Sequence, residues 1–421
     1  MNSAIKQILK STFDSVLLLI AFFIPLYQNI ITPLIILLII SFIFEKKYIS
    51  FFSKSYLWHT NFQKFIFYSI IGFYLIHLIG LVYSTNLSFG FLDIQIKLAI
   101  FLFPILLLYN DQFKNDCLNK ILLFFISGSY VACVLNLLIS SFYYIFIDQD
   151  KIHFTPEKIS HFQHIGYFSI YLNFAWFTSY YLLLKNKYSK FIQFMLASTL
   201  PFFAFFILLT GSKNGIILLV ILGILFTIYA AIKTKKIRLG ISIFVSLIIG
   251  LLFILTGKSV INTRIERAIQ STTSYDHLDK TSVESTAARL MAWDAALDLI
   301  KENLIFGVGT GDIKDELMLQ YKQKGYTGIL EEKLNPHNQY LQTFGALGIV
   351  GFLFIVTMYL SLFVYSIKQK SILLFAFSLI VIISSMTESI LERQAGVLFF
   401  GLFSALFSAT KKSNSIEIKK G

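Results

Sequence analysis

Asn335-Pro336-His337-Asn338-Gln339-Tyr340 closes a long polar stretch, residues 257–340, in a chain that otherwise reads as one apolar run after another. Whether that stretch is a loop between membrane helices or a separate soluble domain decides the fold, and the flanking composition answers it. The 421 residues are 56% hydrophobic and only 14% charged, with a mean hydropathy of +0.71, whereas soluble domains carry about 25% charged residues. The chain is therefore expected to be an all-α polytopic membrane protein in which 257–340 is one large, partly helical outer loop. Abundant Phe and Tyr suit lipid-facing and interfacial packing in such a bundle.

Working outward from the loop, a span needs about 20 apolar residues to cross a hydrocarbon core of about 30 Å. Windows at 12–27, 29–44, 64–83, 88–108, 119–147, 166–184, 191–209, 214–232 and 238–256 precede the loop, and windows at 341–366, 371–386 and 394–410 follow it. The prediction is about twelve spans, divided as a bundle of about nine (1–256), the loop (257–340), three further spans (341–410) and a basic tail (411–421). The first apolar run leads straight into the second, so the first helix is expected to remain as an anchor.

Lys and Arg set the orientation, because positive charge in short loops stays cytoplasmic. With the N-terminus inside, lysines gather in the inner segments, and the short outer loops hold only Lys151, Lys158, Lys213 and Arg393. Both termini are then cytoplasmic and the large loop is periplasmic. The net charge of +13 follows from this topology, and no nucleic-acid partner is expected. Cys117 and Cys133 support neither a disulfide framework nor a thiolate metal site. No internal repeat is visible, which argues against an inverted-repeat transporter.

Within the loop, residues 285–301 predict an amphipathic helix with Ser285 as N-cap and Leu290, Trp293, Ala296, Leu297 and Ile300 on the apolar face. Gly307-Val308-Gly309-Thr310-Gly311 follows a helix rather than a strand and lacks a Walker lysine, so it reads as a tight turn and not as a phosphate cradle. His337 falls where a membrane helix begins at the outer interface. A lone histidine there is most simply a helix-end hydrogen-bonding residue, but its neighbours add a pattern: His337-Asn338, nine residues, then Gly348-Ile349-Val350-Gly351.

That pattern, at the end of a long outer loop, resembles the signature of the bacterial O-antigen ligase and O-antigen polymerase superfamily. Arg289 and Trp293, four apart and followed by the glycine-rich turn, resemble the family's upstream loop motif. Gly211-Ser212-Lys213-Asn214-Gly215 resembles its short Ser-Arg-Gly-like outer turn, with Lys213 where arginine is usual; lysine keeps the charge but loses the bidentate fork suited to phosphate. The resemblance implies a metal-independent glycosyltransferase of the bacterial inner membrane, without a cofactor. Its donor is a glycan on undecaprenyl pyrophosphate, and its acceptor is a hydroxyl of lipid A core or of another glycan or protein. Ligase is the first reading; polymerase, protein O-oligosaccharyltransferase and, from a different class, a lipid-linked glycan transporter are the alternatives.

The chemistry needs a base for the acceptor proton and cations for the leaving group. His337 is the candidate base, Arg289 the candidate catalytic cation, and Lys213 a substrate-binding cation. Further candidates for substrate contacts are Asn338, Trp293, His164 in the loop before the sixth span, and Glu388 and Arg393 in the last outer turn. Lys97 joins them because a cation inside an apolar run is costly unless it serves a site. No metal ligand set is evident. Membrane lipids are the remaining expected partner.

Overall fold

The computed structural model describes residues 3–44, 61–108, 115–156, 158–185, 188–234 and 279–409. The expected span 238–256, the first part of the loop (257–278), the basic clusters at 46–54 and 235–238 and the tail 411–421 lie outside the described residues. Among the described residues the protein is all helical. Helices α1 (Ser3–Phe23), α2 (Ile31–Phe44), α3 (Asn61–Val82), α4 (Leu87–Leu108), α5 (Asn115–Phe146), α6 (Ile165–Lys185), α7 (Lys190–Leu209) and α8 (Lys213–Thr234) come first. The loop holds α9 (Ser285–Glu302), α10 (Ile313–Lys324) and α11 (Thr327–Glu331), and α12 (Gln339–Lys368), α13 (Ile372–Ser384) and α14 (Gln394–Ala409) follow.

Of the expected twelve spans, six are matched among the described residues by helices long and apolar enough to cross a membrane by length and composition: α3, α4, α5, α7, α8 and α12. The apolar parts of α1, α2, α13 and α14 are shorter; the 14 residues of α2 cover only about 21 Å at about 1.5 Å per residue. The 21-residue α6 has the length but is rich in Ser, Asn, Thr and Tyr. It is buried along nearly its whole length, so its polar groups face neighbouring protein and not lipid. Asn173 donates to the Ser169 carbonyl of its own helix (2.8 Å) and to the Gly215 carbonyl of α8 (3.0 Å), and Ser169 Oγ donates to Ser212 Oγ before α8 (3.0 Å); the last two are the polar contacts between segments expected where lipid offers no alternative partner. Around it Phe125, Phe174, Phe377, Phe399 and Phe403 join α5, α6, α13 and α14, with ring centroids 4.7 Å apart for Phe174–Phe403 and 5.0 Å for Phe125–Phe403.

The loop helices build a second, separate core. Ala288, Met291, Ala292, Ala295, Ala296 and Leu299 of α9 pack with Ile313, Leu317 and Tyr321 of α10, Ile329 of α11, and Ala346 and Leu347 of α12. The face that α9 buries differs from the expected one: Leu297 is 46% exposed, and the buried stripe is mostly alanine. Small side chains let helices approach closely, a purpose that a count of large apolar residues overlooks. The N-cap also differs, since Glu284 and not Ser285 accepts from Thr286 N (2.8 Å) and Ala287 N (3.1 Å).

The helix α12 breaks at Gly348, with φ +62° and ψ −160°. A break frees backbone groups, and the glycine-rich turn takes them up: Val308 N donates to Gly345 O (3.0 Å), Gly309 N to Ala346 O (2.8 Å), and Ile349 N to Leu304 O (2.9 Å). Asp312 then fastens the turn to the α3–α4 connection, accepting from Thr85 N (2.7 Å), Thr85 Oγ1 (3.0 Å) and Asn86 N (2.6 Å). The tight-turn reading of residues 307–311 holds, and its function is to brace a broken helix. A Cβ at Gly348 would run into the Ile305 carbonyl. Gly348→Ala is therefore expected to lower stability by at least about 1–3 kcal/mol from backbone strain alone, read as a lower melting temperature in detergent. Gly325→Ala, also at positive φ but with no atom nearer than 3.9 Å to the added Cβ, should lose less.

Candidate functional site

The N-terminus of α12 places the histidine. Asn338 caps the helix, its Oδ1 accepting from Tyr340 N (3.0 Å) and Leu341 N (3.2 Å), and its own N–H donates to Ser389 Oγ (3.1 Å). Trp293 Nε1 donates to Pro336 O at 2.7 Å, and Asn335 Oδ1 accepts from His337 N at 3.0 Å. His337 itself sits at φ +46°, a left-handed conformation that costs a non-glycine residue energy and persists only where its surroundings over-determine it. Asn338 and Trp293, expected at substrate, thus hold the backbone on either side of the histidine.

Glu388 comes from the turn after α13, where its N–H donates to Ser384 O at 2.9 Å. One carboxylate oxygen lies 3.0 Å from His337 Nδ1, and the other accepts from Arg289 Nη2 at 2.7 Å. Arg289 also donates from Nε to Thr387 O (3.1 Å) and from Nη1 to Ser285 O (3.3 Å). The Glu388 side chain is only 7% exposed. Burial alone would raise its pKa, but the His337 hydrogen bond and the charge of Arg289 outweigh this and hold the carboxyl below its ordinary value. An ionised carboxylate can only accept, so His337 Nδ1 carries the proton and Nε2 is left as the acceptor.

His337 and Glu388 line a cavity of about 320 Å³ bounded by α4, α10, the 332–337 segment, α12 and the last turn before α14. Of the other residues singled out from sequence, His164 and Arg393 line it too. Burial, followed by the positive charges of Arg393 and Arg289, lowers the His164 pKa against the pull of Glu388, which favours the neutral form of this second imidazole. Its Nδ1 accepts from Gly166 N at 3.3 Å, so its proton is on Nε2.

Two expected contacts lie elsewhere. The Lys213 ammonium meets Thr286 Oγ1 (2.6 Å) and Glu284 Oε1 (3.2 Å) at the start of α9, outside the cavity lining. Lys97 is 1% exposed and forms salt bridges with Asp93 and with Glu392, the latter at 3.0 Å. The intramembrane cation is thus neutralised by carboxylates one turn away and in the last loop, and presents no free charge to a phosphate. Cavity residues not singled out from sequence include Lys314, Lys333, Asp93 and Gln342. Of these, Asp93 had a legible signal, its i,i+4 spacing to Lys97. Lys314 and Lys333 sit among ordinary loop charges and had none.

Comparison with known proteins covers the segment that carries most of this geometry. Residues 198–356 match the family model described as O-Antigen ligase. The match supports the O-antigen ligase-like superfamily for this chain. It runs from α7 to α12 and takes in Lys213, Arg289, the glycine turn, His337 and Gly348, while Glu388 lies beyond it. An uncharacterized protein of Haemophilus influenzae (strain ATCC 51907 / DSM 11121 / KW20 / Rd) is 33% identical over 164 residues, 38% of this chain and 40% of that protein. The chain thus matches well under half the length of this curated relative.

Proposed function

We propose that the protein is a bacterial inner-membrane glycosyltransferase that moves a glycan from undecaprenyl pyrophosphate to an acceptor hydroxyl at the periplasmic face, as an O-antigen ligase acting on lipid A core. The reading rests on one arrangement: a histidine whose Nδ1 is fixed by a buried carboxylate, with its other nitrogen left to a cavity that also holds cations. His337 Nε2 takes the acceptor hydroxyl proton, and the hydroxyl oxygen bonds to the sugar anomeric carbon. The bond from that carbon to pyrophosphate breaks, and undecaprenyl pyrophosphate leaves with the electron pair. Among the described residues no salt bridge holds Lys333 or Arg393, and Lys314 lies over the Phe89 ring at 5.6 Å. These cavity cations are suited to the departing charge, with Arg289 fixing Glu388 from behind.

The test uses the purified full chain in lipid nanodiscs with a defined undecaprenyl-pyrophosphate oligosaccharide. Three acceptors are offered separately: truncated lipid A core, a second lipid-linked repeat, and a peptide bearing Ser and Thr. A mass shift of lipid A core equal to the donor glycan, with release of undecaprenyl pyrophosphate, is the expected result. Elongation of the second repeat alone would replace the ligase with a polymerase, and modification of the peptide alone would make the protein an O-oligosaccharyltransferase. Transfer to none of the three would overturn the enzymatic reading.

A further inference from the structure

Beneath the histidine the cavity has a floor whose polar atoms are almost all accounted for. Lys97 bridges Asp93 Oδ1 and Glu392 Oε2; Glu392 Oε1 accepts from Gln339 Nε2 (2.9 Å), and Gln339 Oε1 accepts from Leu391 N (2.6 Å). Two acceptors are left over. Asp93 Oδ2 and Gln342 Oε1 are buried without a hydrogen-bond partner, each on a residue only 5% exposed, and both residues line the same cavity as His337 and Glu388. A buried polar atom without a partner is costly and uncommon. Both residues line the cavity, so a hydrogen-bond donor bound there would satisfy both acceptors.

The chemistry of that ligand follows from the atoms that await it. Both orphans are acceptors, so the ligand must donate. Lys97 is already shared between Asp93 and Glu392, so the floor offers no free cation to a phosphate. Phe89, Leu92 and Tyr167 supply apolar surface beside it. Hydroxyl groups on a ring that also presents C–H faces satisfy all three conditions, and that description is a pyranose.

We propose that Asp93 Oδ2 and Gln342 Oε1 form a sugar subsite in the cavity floor, each accepting from a hydroxyl of the sugar that flanks the glycosidic bond being made. This subsite rests on the glycosyltransferase reading above and deepens it: the two residues set which sugar is accepted, and His337 sets the rate. The sugar belongs either to the transferred glycan or to the acceptor, and the same hydroxyl chemistry serves both.

The test is steady-state transfer by the full chain in nanodiscs, with donor and acceptor titrated separately, for the wild type, Asp93→Asn and Gln342→Leu. Each variant is expected to raise the KM for one glycan by about 5- to 20-fold, the effect of losing one hydrogen bond of this kind, with kcat changing much less. The titration that moves identifies the source. Monodeoxy versions of that sugar, given to the wild type, should include one that is about tenfold worse, and Asp93→Asn or Gln342→Leu should erase that discrimination. The deoxy series on the wild type needs no variant to fold. Unchanged KM values, or a wild type indifferent to every deoxy analogue, would overturn the subsite and leave the enzyme reading intact; a proton held between Asp93 and Glu392 would give that pattern. A wild type that transfers nothing overturns the function itself.

Discussion

Replacing His337 with alanine is expected to lower the rate of glycan transfer about 10²–10⁴-fold, the usual contribution of a positioned general base, with little change in the KM for donor or acceptor. The acceptor hydroxyl must lose its proton as its oxygen bonds to carbon, and the Nε2 left free by the Nδ1–Glu388 contact is where that proton goes. In cells carrying this variant as the sole copy, capped lipopolysaccharide should vanish from a gel while lipid-linked glycan accumulates. Normal capping with the protein present at its usual level would remove the base assignment. Alanine keeps a Cβ and so carries the cost of the left-handed backbone at φ +46° much as histidine does, so the variant should melt close to the wild type apart from its lost contact with Glu388. A severe rate loss in a protein of undiminished stability separates chemistry from folding.

Glu388→Gln is expected to cost nearly as much, about 10²–10⁴-fold, by analogy with the loss when the orienting carboxylate of a catalytic triad becomes an amide. The amide keeps the shape and one carbonyl acceptor. It cannot serve both the Arg289 and the His337 contacts, at 2.7 and 3.0 Å, as two carboxylate oxygens do. The histidine is then free to take the other tautomer, with its proton toward the cavity. Because the residues act as a unit, the double variant His337→Ala, Glu388→Gln should be about as slow as the slower single one; losses that multiply would show that they act apart. The pH dependence gives a second reading. Folding depresses the Glu388 pKa, so its contribution to stability is complete above the ordinary carboxyl value of about 4.3 and is lost as pH falls through the depressed value. The wild type should therefore lose melting temperature in that acid range, and Glu388→Gln should lack that component of the loss.

The parts of the site differ in how far the sequence revealed them, and the difference follows contact range. His337, Arg289 and Gly348 stand in a local pattern and could be named from spacing. Glu388 drew notice only as a charge in the last outer loop, because its partners are 51 and 99 residues away and no periodicity reports such a contact. The loop helix α9 was legible as a helix. Its buried face was not, because alanines pack that face while Leu297 points outward. In the bundle, the apolar windows anticipated where helices lie. The window 166–184 anticipated α6 but not the contacts its buried polar residues make outside the helix, such as Asn173 with Gly215 O and Ser169 with Ser212.

The 51-residue separation between His337 and Glu388 also sets an order of events during biosynthesis. At about 5–20 residues per second, the ribosome needs roughly 3–10 s to travel from one to the other. In that interval the loop helices, Arg289 and the histidine exist without the carboxylate that fixes the imidazole. The nascent chain thus carries a disarmed base until the turn after α13 has been made. A chain stalled or cut short between these two positions would occupy membrane without consuming its lipid-linked donor.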